Sequence, residues 1–228
     1  MNTETLRKTL MKQQTRLREI MTSYDQHEAA MQLFMAQHAA LHSAKATPPK
    51  TDSLEDLVLD DLTEAQWRRI PKGGEHSIAW AIWHIARIED MTMNILVADA
   101  QQIFREENWL EKLNIDLPDS GNAMSEAAVA DLSASIDTEA LRTYRVSVGR
   151  RTRVITADLR VEDLKEKTRP ERLQRIRDEA AVVSEAEEVI QYWSKRTIAG
   201  LLLMPATRHN LVHLNECMKL KGKVLNSL

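Results

Sequence analysis

The 228-residue chain contains one cysteine, Cys217, so no intramolecular disulfide can form. That usage fits a reducing compartment. Only six glycines and six prolines serve the whole chain. Strand-rich folds need many turns, and turns draw on those residues. Their scarcity, beside abundant Ala, Leu, Glu, Lys, Arg, Gln and Met, predicts an all-α fold. No apolar run reaches the roughly 20 residues of a membrane span, and the longest, "IAGLLLMPA", is about half that. The N-terminal "MNTETLRKTLMKQQTRLREIM" is too charged for the apolar core of a signal peptide. These absences predict a cytoplasmic protein with no membrane partner. The net charge of −3 and pI near 6.2 give no overall reason to expect nucleic acid. With 43% hydrophobic and 29% charged residues, residues 1–228 read as one globular domain.

What is present is helical periodicity. Leu6, Leu10, Leu17, Ile20, Tyr24, Met31 and Phe34 keep three-and-four spacing, which predicts one long helix from about Thr3 to Ser43. "KATPPKTD" ends it, because Pro-Pro cannot continue a helix. Thr63 and Gln66 form a capping-box pattern for a short helix closed by Pro71. After the loop "KGGEHS", a second major helix runs from about Ser77 to Asp99. The stretch from Gln101 to Met124 is mixed, with "LPDSGNAMS" its clearest loop and Ser125 as a cap for the next segment. A third long helix starts near Asp137, although Gly149 and its β-branched residues weaken the pattern. Pro170 opens a shorter helix. Ser184 and Glu187 give a second capping-box signature, for a helix through Trp193 to about Leu203. Pro205 permits a new first turn, and the last helix covers about Ala206 to Lys221 with Gly222 as its stop. The expected architecture is a four-helix bundle with additional short helices inserted between core helices.

Of seven histidines, two pairs have i, i+4 spacing: His38 with His42, and His209 with His213. On a helix that spacing puts both imidazoles on one face, where they can turn toward one cation. "PATRHNLVHLNE" places His209 and His213 early in a helix. Glu216 continues their stripe as a fourth ligand, a partner of a ligand, a general base or a solvated charge. His38 and His42 continue the stripe of His27, Met31 and Phe34, and read as packed histidines with local partners, while remaining the rival ligand pair. His84, in "WAIWHIARIED", shares an interior stripe with Ser77, Ala81, Ile88, Met91 and Ile95. Alone it reads as a core histidine. Facing a histidine pair from another helix, it makes a three-nitrogen site with open positions, which is a catalytic type of metal environment. Arg87, one turn from His84, can hold an anionic substrate group or form an ion pair. Glu89 and Asp90 point away from the His84 stripe and read as structural or as capping a neighbouring segment. Trp83 reads as core, Trp80 as core or a pocket wall, and Cys217 as a small buried residue.

"GGEHSIAWAIWHIARIED" and "MPATRHNLVHLNECMKLKGKV" resemble the two signature regions of the DinB/YfiT-like superfamily. The resemblance covers residues 60–99 and 190–223 well and the first helix loosely. Residues 101–180 do not match clearly and form a longer variable segment, a lid or an oligomer contact. The resemblance implies a four-helix bundle holding a divalent metal, zinc or nickel, on His84, His209 and His213. It also implies a homodimer, and a metal-dependent enzyme of thiol-dependent S-transferase or hydrolase type acting on a small molecule. Some members of the family use a low-molecular-weight thiol such as bacillithiol or mycothiol. The alternative is a non-enzymatic, metal-stabilised helical protein acting through partner contacts.

Overall fold

The computed structural model describes residues 3–47 and 52–225. Among the described residues there is no strand, and a single antiparallel bridge joins Lys167 to Thr197. The all-α expectation holds.

Helix α1 (Thr3–Ile20) turns Leu6, Leu10, Leu17 and Ile20 inward. The single helix expected to Ser43 is instead a hairpin. The chain leaves α1, passes a 3₁₀ turn at Tyr24–Gln26 and returns as α2 (His27–Leu41). Ser23 is extended, at φ −83° and ψ 125°. Thr22, Ser23 and Asp25 bring side chains that compete with helical backbone bonds. Gln37 Nε2 donates to Leu10 O at 3.4 Å and Gln14 Oε1 at 2.7 Å, so the two helices pack face to face. Tyr24, part of the apparent stripe, is 60% exposed. The apolar spacing stays in phase across the break, which is why it reads as one helix. Helix α2 ends at Leu41. Pro48 and Pro49, expected to stop it, lie outside the described residues.

Helix α3 (Leu54–Leu59) is capped by Ser53. Helix α4 (Glu64–Arg68) carries the expected capping box, with Thr63 N donating to Gln66 Oε1 at 2.8 Å and Gln66 N to Thr63 Oγ1 at 3.4 Å. Helix α5 (Ile78–Met91) begins after Ser77, whose Oγ accepts from Trp80 N at 3.0 Å. It continues into a π-helical turn at Thr92–Val97. Every α5 residue except Trp80 is buried, which makes α5 the central helix.

Short helices α6 (Ile103–Glu106) and α7 (Trp109–Lys112) lead to the loop before α8 (Glu126–Ser135), capped by Ser125. Helix α9 (Thr138–Ala157) is capped by Asp137. Its Gly149 has a packing reason: an added Cβ would lie 2.7 Å from Cδ2 of His42. Helices α10 (Val161–Lys165) and α11 (Pro170–Asp178) come next, with Pro170 in the first turn of α11 as expected.

The expected helix from Ser184 to Leu203 is two helices, α12 (Glu187–Ser194) and α13 (Ile198–Leu203). The Ser184–Glu187 capping box does not form; Ser184 starts a 3₁₀ turn and its Oγ donates to Glu185. The break at Lys195–Thr197 arises because a crossing segment takes its backbone groups. Thr168 N donates to Arg196 O at 3.1 Å and Ile198 N to Glu166 O at 2.8 Å. Pro205 does not open a fresh helix. It sits inside a π-helical turn, Met204–Arg208, that runs from α13 into α14 (His209–Leu225). Pro205 has no N–H to donate, and the wide turn leaves carbonyls to satisfy. Thr207 Oγ1 donates to Leu202 O (2.9 Å), Gln14 Nε2 to Leu203 O (2.9 Å) and Asn210 Nδ2 to Ala206 O (3.1 Å). Gly222 does not stop α14, which continues to Leu225. Helices α2, α5, α9 and α14 pack against one another, and the short helices fill the connections between them.

Candidate metal centre

Helix α5 carries His84, and the first two turns of α14 carry His209 and His213. Their ring centroids are 5.0 Å apart for His84–His209, 5.1 Å for His84–His213 and 4.6 Å for His209–His213. One nitrogen from each lies within 4.8 Å of the others. Metal–imidazole bonds are about 2.0–2.1 Å long, so small ring rotations bring the three onto one cation.

The chemistry of the donor set fits such a cation. His84 Nδ1 lies 2.6 Å from Ser120 O and must donate to it, which leaves Nε2 with its lone pair. His213 Nδ1 lies 2.8 Å from Glu216 Oε2, an ion-pair distance without the alignment of a hydrogen bond. His209 Nδ1 is buried without a partner. Metal-ligating histidines characteristically give their second nitrogen to a carbonyl or carboxylate, as His84 does to Ser120 O. Burial, then the charge of His213, pushes His84 down to about 3. Burial and the two neighbouring imidazoles hold His209 well below its ordinary range. Burial also lowers His213, against the pull of Glu216. All three are therefore neutral bases near pH 7, the form in which imidazole ligates.

The surroundings hold His84 in place. Trp80 stacks on it at 4.8 Å and 6°, and on His76 at 4.8 Å. Arg87, weighed as an anion-binding residue, is fully buried. Its guanidinium donates to Asp90 Oδ2 (3.3 Å), Tyr144 Oη (3.1 Å), Gln102 Oε1 (2.8 Å) and Pro118 O (2.7 Å). It thus anchors the loop whose next residues carry Ser120. Gly121 in that loop has φ +76°, and a Cβ there would meet Trp83 Cζ3 at 2.5 Å. Asp90 caps α6, accepting from Ile103 N (3.0 Å) and Phe104 N (2.9 Å), as its direction on the helix predicted. Cys217 is buried and its thiol is pushed up, chiefly by desolvation.

Two cavities adjoin the histidines. One, of about 270 Å³, is lined by Ile88, Val189, Tyr192, Trp193, Met204 and Pro205, with His209, Asn122 and Glu188 completing it. The other, of about 440 Å³, reaches His213 and Glu216 and is lined by His76, Trp80, Lys219 and Lys223 among others.

His38 and His42 form a separate group, fully buried against Glu89. His38 Nε2 lies 2.9 Å from Glu89 Oε1 and His42 Nε2 3.0 Å from Oε2. The same carboxylate accepts from Arg145 (2.8 Å), Thr152 (2.8 Å) and Asn210 (2.7 Å). Burial raises Glu89, but His42, Arg145 and His38 outweigh it and hold the group well below the usual carboxylate range. The two imidazoles are stacked at 3.8 Å and 20°. His42 Nδ1 lies 2.9 Å from His38 O and donates to it, so its Nε2 faces the carboxylate with a lone pair, and Glu89 accepts from Arg145, Thr152 and Asn210. This group is a buried hub joining α2, α5, α9 and α14, and its three residues also stand close enough together to hold a cation.

Glu89 was legible as unusual, being a charge inside an apolar helix, where burial demands a partner. Its partners on α2, His38 and His42, stood out by their spacing, whereas Arg145 and Thr152 on α9 and Asn210 on α14 carry no local signal. His76, whose nitrogen also falls within 4.8 Å of His213 and Glu216, sits in a loop with no periodicity.

No curated protein matches the chain. The family model described as the DinB superfamily matches residues 51–216, a span that includes His84, His209, His213 and Glu216 and leaves out His38 and His42. With that match over most of its length, the chain belongs to the DinB superfamily.

Proposed function

We propose that the protein is a divalent-metal enzyme whose ion is held by His84, His209 and His213. The observation that carries this reading is the convergence of three neutral imidazoles, one fixed by Ser120 O, beside cavities that can admit a small molecule. When bound, the ion would act as a Lewis acid and lower the pKa of a coordinated water or thiol near neutral pH. Three nitrogen donors suit zinc or nickel and leave positions open for a reactant. The reaction class we infer is thiol-dependent transfer or hydrolysis on a small molecule.

The chain's own residues do the holding and shaping. Ser120 O selects the tautomer of His84. Glu216 Oε2 stands 2.8 Å from His213 Nδ1 and lines the second cavity, the place of a residue that steers His213 or contacts a reactant. Trp80 packs against the His84 ring and shields it from water. The test is a screen of the metal-loaded chain for thiol transfer and ester hydrolysis, with chelated protein as control. Turnover lost on chelation and restored by zinc or nickel supports the reading. A chelation-dependent fall in melting temperature without any turnover supports the partner-binding alternative instead.

A further inference from the structure

The two cavities at the histidines differ in chemistry. The one reaching His209 is walled by Ile88, Val189, Tyr192, Trp193, Met204 and Pro205, and no cationic side chain lines it. Its acidic lining residue is Glu188, which is exposed. Ile88 lies one helical turn beyond His84, so the apolar wall starts at the histidine group itself. Met204 and Pro205 reach the cavity because the chain there is π-helical, and the carbonyls that turn frees are bonded by Thr207, Gln14 and Asn210. The wall is thus a built feature with its polar backbone satisfied.

We propose that this cavity binds the apolar body of the substrate, an aromatic or branched-alkyl group, whose donor atom faces the histidines from the His209 side. A volume near 270 Å³ equals the share of about nine water molecules in the liquid and suits a phenyl-sized group with a short linker. Glu188 is the acidic residue of the lining and Arg196 stands over the Tyr192 ring at 4.0 Å, so the cavity selects for the apolar body and not for the charge of its outer end. The proposal rests on the metal reading above, so its test separates the two.

The probes are hydroxamates, which ligate metals through their head group. Metal content of the full-length protein is measured first by elemental analysis. Acetohydroxamate, 3-phenylpropanohydroxamate and the carboxylate-tailed succinic monohydroxamate are then titrated by calorimetry. The phenyl compound should bind about tenfold to a hundredfold more tightly than acetohydroxamate, the gain expected for burying an aromatic ring. Tyr192→Ala and Val189→Glu should remove most of that gain with metal content unchanged. Tyr192 is 37% exposed, so its truncation leaves the core intact. Lys219→Ala, in the other cavity, should leave the preference as it was. Equal affinities for the first two probes, preference for the carboxylate tail, or no hydroxamate binding to metal-loaded protein would each overturn the proposal. If the protein carries no metal, benzyl alcohol is titrated by NMR. Shifts confined to Val189, Tyr192 and Trp193 then support the cavity while the metal reading fails, and shifts elsewhere overturn the cavity too.

Discussion

His84 Nδ1 stands 2.6 Å from the carbonyl oxygen of Ser120, and that contact decides which nitrogen of His84 faces His209 and His213. The acceptor is backbone, so the loop conformation sets it. Gly121, next in the chain, permits that conformation through its positive φ and its contact with Trp83. Gly121→Val should displace Ser120 O while the helices stay folded. Orienting partners of metal-bound histidines typically contribute about 10–100-fold in affinity. A chelator competition should show a loss of that size, with the circular dichroism unchanged. Unchanged affinity would mean that Ser120 does not orient a ligand.

Arg87 acts on the same loop from the other side, through Pro118 O. Arg87→Met keeps the volume and removes four donor contacts, including the one to Asp90. It leaves Asp90 buried without its cation, a change that costs about 3–5 kcal/mol in comparable buried pairs. For a chain of this size that is roughly a 6–20 °C drop in Tm. A drop under 3 °C in calorimetry would contradict this account of Arg87.

Glu89→Gln tests the role of the second histidine group. If Glu89 is a structural hub, the variant loses stability, since Arg145 keeps only Glu55 as a carboxylate partner, and metal content stays at the wild-type value. Loss of one metal equivalent with Tm unchanged would reassign His38, His42 and Glu89 as a metal site.

The architecture was legible in the sequence where local chemistry decides it. Ser125 and the Thr63–Gln66 pair cap the helices they were expected to cap, and Ser77 and Asp137, expected near helix starts, are the caps there, because a cap needs only its own next three residues. Two local signals still misled, the Ser184–Glu187 capping box and the Gly222 stop, and the other departures lie where distant segments decide. The hairpin at Met21–Gln26 keeps the apolar phase of one helix, and the break after Ser194 exists because Glu166–Thr168 bonds across it. Pro205 reads as a helix start by its own chemistry, yet three side chains let the helix pass through it. At the site, the histidine spacing was visible. Ser120, which orients His84 from 36 residues away, was not.

Acidity should destabilise the metal-free protein in a specific window. His84 has an ordinary value of 6.5 and is lowered to about 3 when folded. Below about pH 6.5 the unfolded chain takes up a proton that the folded chain refuses, so stability falls from there toward pH 3 and is insensitive above pH 7. Thermal melts of chelated protein should show Tm falling between pH 7 and pH 5, with a shallower slope in His84→Gln. Parallel slopes in the two proteins would contradict a neutral buried His84.

The central claim is that His84, His209 and His213 hold one metal ion together. Elemental analysis of the purified protein, after equilibration with excess zinc or nickel and removal of unbound ion, tests it most directly. About one equivalent is expected in the wild type and in His38→Ala, with a loss of most of it in His84→Ala and in His213→Ala. Wild-type metal content in both of those variants would contradict it.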